Sequence, residues 1–191
     1  MDRVVCSVDT GALMEEIARL RGDIAWLESR CDELDREAHH DALVPVANRR
    51  GLVRQLKMLI ARHERHDTAA ALLFVDVDGL KTLNDSFGHA AGDAALIHLA
   101  GLMVGEVRQT DLVARLGGDE FAILLDHADE AAAMDIANRL VNAVADSDFM
   151  HQGRPLPLSV AIGITAIEKG DTAEAVLDRA DREMYRDKVA A

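Results

Sequence analysis

Two carboxylates, Asp119 and Glu120, directly follow a glycine pair in the stretch Arg115-Leu116-Gly117-Gly118-Asp119-Glu120-Phe121. The apolar runs 112–116 and 121–125 on either side read as strands, with the glycines as the turn of a β-hairpin. Carboxylates held on a rigid turn suit metal-assisted chemistry. A second pair, Asp76 and Asp78, ends the apolar run 71–75 and precedes Gly79 and Lys81. Alternation along a strand sends both aspartates to the same side. A strand that ends in carboxylates and turns towards a lysine and a helical segment offers metal ligands beside backbone N–H groups able to hold phosphates. That arrangement suits a nucleoside triphosphate with magnesium. Each motif alone also describes a solvated hairpin tip or a polar strand exit.

The elements that must position these groups follow from hydrophobic periodicity. Helical segments at 49–63, 88–108, 131–145 and 172–187 alternate with strands near 70–76, 112–116, 120–126 and 157–166. The pattern predicts an α/β (α+β) domain: one mostly antiparallel central sheet flanked by helices that lie over a face. Met134 and Met184 fall on apolar helical faces and read as core fillers.

Ahead of this domain, Leu13, Ile17, Leu20, Ile24, Leu27, Cys31 and Leu34 recur at alternating spacings of four and three. With the leucines at d and Ile17 and Ile24 at a, the seam is that of a parallel two-stranded coiled coil. The chain therefore divides into a dimerising helical stalk, residues 1–40, and a domain spanning 41–191. With 34 acidic against 21 basic residues, a net charge of −13 argues against a nucleic-acid surface. No apolar run reaches the roughly 18 residues of a membrane span. The first residues lack a signal-peptide pattern, so a cytoplasmic location is expected. Two cysteines, Cys6 and Cys31, are too few for a disulfide framework or a zinc site.

Taken together, the two acidic motifs resemble the GGDEF family of bacterial diguanylate cyclases, whose name is spelled by Gly117-Gly118-Asp119-Glu120-Phe121. The family pattern Asp-x-Asp-x-Phe-Lys-x-x-Asn-Asp-x-x-Gly-His-x-x-Gly-Asp stands here as Asp76, Asp78, Leu80 in place of Phe, Lys81, Asn84, Asp85, Gly88, His89, Gly92 and Asp93. Segments 41–50 and 180–188 resemble the family's opening and closing motifs, so the likeness runs from about residue 41 to 188. It implies a palm-like nucleotidyl cyclase fold and a reaction in which two GTP molecules, one on each of two facing domains, give cyclic di-GMP and two pyrophosphates. A homodimer set by the stalk would supply both halves.

Carried over residue by residue, the resemblance makes Asp76 and Asp119 side-chain ligands to magnesium, with Val77 adding its backbone carbonyl. Glu120 is then a second-metal ligand or the base for the ribose 3′-hydroxyl. The family's site implies two Mg2+ per active site, which Mn2+ would replace. Asn84 and Asp93 would read the guanine edge, and Leu43 and Leu80 would flank the base. Lys81 and Lys188 would contact the β- and γ-phosphates, with Gly117 and Gly118 lining the substrate and Arg115 assisting at the phosphate during transfer. Arg108 and Asp111, an Arg-x-x-Asp set five residues before Gly117, match the family's product-inhibition site for cyclic di-GMP, and Arg139 matches a further arginine that reaches it.

Three departures stand out. Val44-Pro45-Val46 replaces the usual Thr-Gly-Leu, Leu80 replaces the usual phenylalanine, and Ala191 comes before the family's Gly-Arg. The last implies weaker GTP contact. The alternative reading is a catalytically weak GGDEF module that binds GTP or cyclic di-GMP and signals through a partner.

Overall fold

The computed structural model describes residues 10–190 and separates into two compact units, which divide between Ala38 and His39. In the first unit, helix α1 (Thr10–His39) is 30 residues long, about 45 Å at the α-helical rise. Its seam residues Leu13, Ile17, Leu20, Ile24, Leu27, Cys31 and Leu34 are all exposed, as are Met14 and Trp26. Between seams the surface is laced by short-range ion pairs, with Arg19 bridging Glu16 and Asp23. Cys6 lies outside the described residues. Among the described residues no helix is long and apolar enough to cross a membrane.

The second unit is built on a five-stranded sheet. In chain order its elements are β1 (Ala47–Asn48), α2 (Arg49–His66), β2 (Ala70–Val77), α3 (Leu80–Phe87), α4 (His89–Glu106), β3 (Leu112–Gly117) and β4 (Glu120–Asp126). They continue through α5 (Glu130–Ala145), β5 (Met150–His151), β6 (Arg154–Pro155), β7 (Val160–Ala166) and α6 (Ala173–Ala190). The sheet order is β1-β3-β4-β2-β7. Only β1 and β3 run parallel; the other neighbours are antiparallel. Strands β5 and β6 form a separate hairpin.

Helices cover both faces of the sheet rather than one. The reason lies in β2, whose apolar run does not alternate with polar residues and so needs burial on both sides. Leu73 and Val75, with Phe121, Ile123 and Leu125, pack under α4 and α5. Leu72 and Phe74, with Ala122 and Leu124, pack under α2 and α6. Two further differences are local. The segment expected as a strand from 157 becomes β7 only at Val160. Met184 is buried as a core filler, whereas Met134 is half exposed on the outer side of α5.

Helix α2 starts at Asn48, whose side chain accepts from the Gly51 N–H at 3.0 Å. Helix α6 is seated on β7 at Gly163. A Cβ there would lie 2.2 Å from both the Ala180 carbonyl oxygen and the Met184 nitrogen. Arg179 then clamps the same helix to the strand's end, donating to Thr165 Oγ1, to the Ala166 carbonyl and to both oxygens of Asp171. Hydrogen bonding from Arg179 holds the Asp171 carboxyl below its ordinary value, against the opposing effect of burial.

A Gly163→Ala substitution should therefore displace α6, because the atoms it meets are backbone. The expected cost is about 1–3 kcal/mol, read as a lower urea midpoint. An unchanged midpoint would show that α6 has room to spare at this contact.

Candidate active site

The β2–β4 register sets Asp76 directly opposite Glu120. Like charges facing each other across a ladder are unfavourable without a counter-charge. Asp119 occupies the two-residue hairpin loop with Gly118, which takes φ +53°, a conformation strained for any residue with a side chain. The loop is tied back to the sheet where the Val77 N–H donates to the Asp119 carbonyl at 3.0 Å. The exit of β2 is tied down in turn, since the Asp78 N–H donates to the Ser159 carbonyl and Ser159 Oγ donates to Asp78 Oδ2 at 2.8 Å. Asp76, Val77, Asp119 and Glu120 thus lie at one end of the β2–β4 pair.

Lysine reaches this cluster from the other end of the chain. Lys188 Nζ donates to Asp76 Oδ1 and lies 3.7 Å from Asp78 Oδ1. The Asp76 hydrogen bond, reinforced by charge from Asp76, Asp78 and Asp119, raises the Lys188 pKa above its ordinary value despite partial burial. Glu120 is pushed up, first by burial and then by the negative charge of Asp119, Asp181 and Asp76, with Arg49 offsetting part of the effect. Arg49, on the first turn of α2, and Asp181, on α6, are site neighbours that the motif spacing does not single out.

Arg115 is engaged differently from the expectation that it attends a phosphate. Its Nε and Nη2 donate to the Gly118 carbonyl at 3.1 and 2.7 Å, and Nη1 reaches Asp41 Oδ1 at 3.3 Å. The same Asp41 oxygen accepts the Leu43 and Val44 N–H groups. Burial would raise the Asp41 pKa, but these N–H donors and Arg115 together hold it below its ordinary 3.8. Arg115 thus staples the hairpin loop to the segment before β1, where Val44 and Val46 plug the core on either side of exposed Pro45.

The expected base-reading groups lie on the α3–α4 pair. Asn84 Oδ1 is buried and has no hydrogen-bond partner among the described residues. Gly92 on α4 makes room for it: a Cβ there would sit 2.1 Å from that oxygen. Asp93 follows on the exposed side of α4, Leu80 is buried at the start of α3, and Leu43 packs at the core's edge. Lys81 is exposed on α3.

The second set of residues lies at the far end of β4, six residues and roughly 20 Å from Glu120. Asp111 spends its carboxylate on backbone, accepting from the Arg108 and Asp126 N–H groups at 2.9 and 3.1 Å. Arg139 docks on the end of α4, donating to Glu106 Oε2 and to the Glu106 carbonyl. Exposed Arg108 follows two residues later, so the three residues share one region apart from the acidic cluster.

Among the described residues no three of His, Cys, Asp and Glu converge closely enough to hold an ion unaided. The donor set is nevertheless all oxygen, from carboxylates opposed across a ladder. That set fits magnesium, which takes one or two carboxylates and completes its shell with substrate phosphates and water.

The sheet and its acidic hairpin place the chain in a defined class, and it belongs to the GGDEF-domain family: the family described as diguanylate cyclase, GGDEF domain, matches residues 38–191. It is 37% identical over 179 residues to the diguanylate cyclase DgcP of Pseudomonas aeruginosa, covering 94% of this chain and 27% of DgcP. It is 42% identical over 171 residues to the probable diguanylate cyclase DgcE of Escherichia coli, covering 87% of this chain and 15% of DgcE. The chain thus spans well under half the length of these relatives. The coiled coil and GGDEF domain of DgcB from Caulobacter crescentus, solved with c-di-GMP, shares the fold with a TM-score of 0.86 at 22% identity, covering 94% of this chain and 96% of that one.

Replacing Arg115 with alanine should free the hairpin loop. With two charge-assisted bonds to one carbonyl and a partly sheltered carboxylate partner, the expected loss is about 1–3 kcal/mol at neutral pH. The Asp41 part of that loss rests on a depressed pKa: it is present in full above the unfolded carboxyl value and disappears as pH falls through the folded one. Urea melts of both proteins across pH 3–7 should show the gap narrowing on the acid side; a gap that widens there would contradict the staple.

Proposed function

We propose that this chain is a diguanylate cyclase that condenses two GTP molecules into cyclic di-GMP and two pyrophosphates across a homodimer. The observation that carries the reading is the register-fixed opposition of Asp76 and Glu120 beside Asp119, with Lys188 at the same carboxylates. Asn84 and Asp93 orient the guanine, the Asp93 carboxylate accepting from the ring N–H and amino group that adenine does not present in that pattern. Leu43 and Leu80 flank the base, and Lys81 and Lys188 hold the terminal phosphates as compact charges. Two Mg2+ ions, or Mn2+ in their place, held by Asp76, the Val77 carbonyl, Asp119 and Glu120, would neutralise charge on the triphosphate and the leaving pyrophosphate.

Each 3′-oxygen then bonds to the α-phosphorus of the opposite nucleotide as the bond to pyrophosphate breaks. The hydroxyl proton passes to Glu120 where that carboxylate serves as the base rather than as a ligand of the second ion. Because the two nucleotides sit on different copies, alignment is the protein's main contribution. The exposed seam of α1 supports pairing through a parallel coiled coil, placing one site opposite the other. Arg108, Asp111 and Arg139 form the site where cyclic di-GMP inhibits. The enzyme acts in the cytoplasm, where GTP is available.

Incubation with GTP and Mg2+ should yield cyclic di-GMP, with ATP a poor substitute. Asp119→Asn should lower turnover by several orders of magnitude, measured by chromatography of the products. Full activity in that variant would remove the metal role, and absence of product from the parent chain would remove the reading.

For the stalk, Cys31 at an a position should face its counterpart across the seam. Mild oxidation should therefore give a covalent dimer that Cys31→Ser does not form. A chain that sediments as a monomer at micromolar concentration and resists crosslinking would rule out pairing by this helix.

A further inference from the structure

We propose that Lys188 is the resident cation of Asp76 and competes there with a divalent ion, so that metal and triphosphate each strengthen the other's binding to the site. The proposal rests on the reading that a metal–triphosphate occupies this site, and adds an internal competitor to it.

The geometry is that of one counter-ion at one carboxylate. The Lys188 ammonium bonds Asp76 Oδ1 and lies 3.7 Å from Asp78 Oδ1. The Asp76 side chain is only 14% exposed while that of Lys188 is 41% exposed, so the carboxylate end is sheltered and the lysine end wet. A sheltered carboxylate facing Glu120 across the ladder needs a positive partner. Lys188 is delivered to that place by a helix that is itself fixed, by the close approach at Gly163 and the Arg179 clamp. The last link is a stem of four carbons that can swing.

A divalent ion bound at the same carboxylate is repelled by the ammonium beside it, so its binding favours the lysine's departure. Displacement leaves Lys188 with only the longer contact to Asp78, 3.7 Å away, unless the ligand brings an anion of its own. A triphosphate does bring one, because the lysine can turn outwards to its terminal oxygens while the metal takes Asp76. Metal alone therefore meets a competitor that metal with triphosphate does not. By linkage, the coupling factor is the same whichever of the two binds first.

The test uses the full chain and Mn2+ alone, with the free-ion electron paramagnetic resonance signal reporting binding and no nucleotide present. Lys188→Met should bind Mn2+ about fivefold to tenfold more tightly than the parent, the effect of removing one charge-assisted competitor at a partly exposed site. Lys188→Arg, which keeps a cation at the carboxylate, should stay close to the parent. Adding Asp76→Asn to Lys188→Met should abolish the gain. Equal or weaker binding by Lys188→Met, or a gain that survives Asp76→Asn, would overturn the proposal. Cyclic di-GMP formation by the parent is measured separately: its absence would refute the cyclase reading while leaving the Mn2+ comparison intact.

Discussion

The pairing of β2 with β4 is the constraint on which the rest of this domain depends. One register does two jobs. It stacks Leu73 opposite Ile123 and Val75 opposite Phe121 under α4 and α5, and it brings Asp76 opposite Glu120 where the strands leave the core. A slip of one residue would turn every one of these side chains to the wrong face. The apolar packing therefore pins an electrostatic arrangement that is unfavourable in itself. Carboxylates that would separate if free are held together because the core beneath them tolerates no other alignment.

Much of this was legible in the sequence, for physical reasons that differ from element to element. The hairpin shows itself because glycines interrupt two apolar runs, and the aspartate-ended strand because its run is short and abruptly polar. Two-sided burial of the sheet also has a signal in β2, six consecutive buried apolar residues without alternation, which points away from helices over one face. Strands β5 and β6, at two residues each, are too short to carry any period. Arg115 illustrates a deeper limit. A charge beside a glycine turn suggests a ligand, but its partner Asp41 lies 74 positions away and only the folded chain connects them. The same holds for Arg49 and Asp181, whose influence on Glu120 arises through space.

Charge is distributed so that each end of the domain has its own local balance within a strongly acidic chain. At the hairpin end, Lys188 and Arg49 answer the carboxylates. At the other end of β4, Arg62 pairs with Asp126 while Asp111 serves backbone N–H groups. The acidic residues of α1 are interleaved with arginines in short-range pairs, which leaves the apolar seam uninterrupted on its own stripe. Such separation keeps the helix wettable while preserving one surface for packing.

The contact between Asn84 and Gly92 has a consequence for how such a domain can change over time. The Asn84 carboxamide on α3 owes its position to a missing side chain on α4, where a Cβ at Gly92 would meet its oxygen. Mutation at position 92 to anything larger would act on the carboxamide from behind. On the proposed reading, drift in nucleobase preference would be tied to helix packing, and a variant with altered selectivity would have to move both helices in concert. Selectivity would then be inherited as a property of interhelical spacing as much as of any hydrogen-bonding residue.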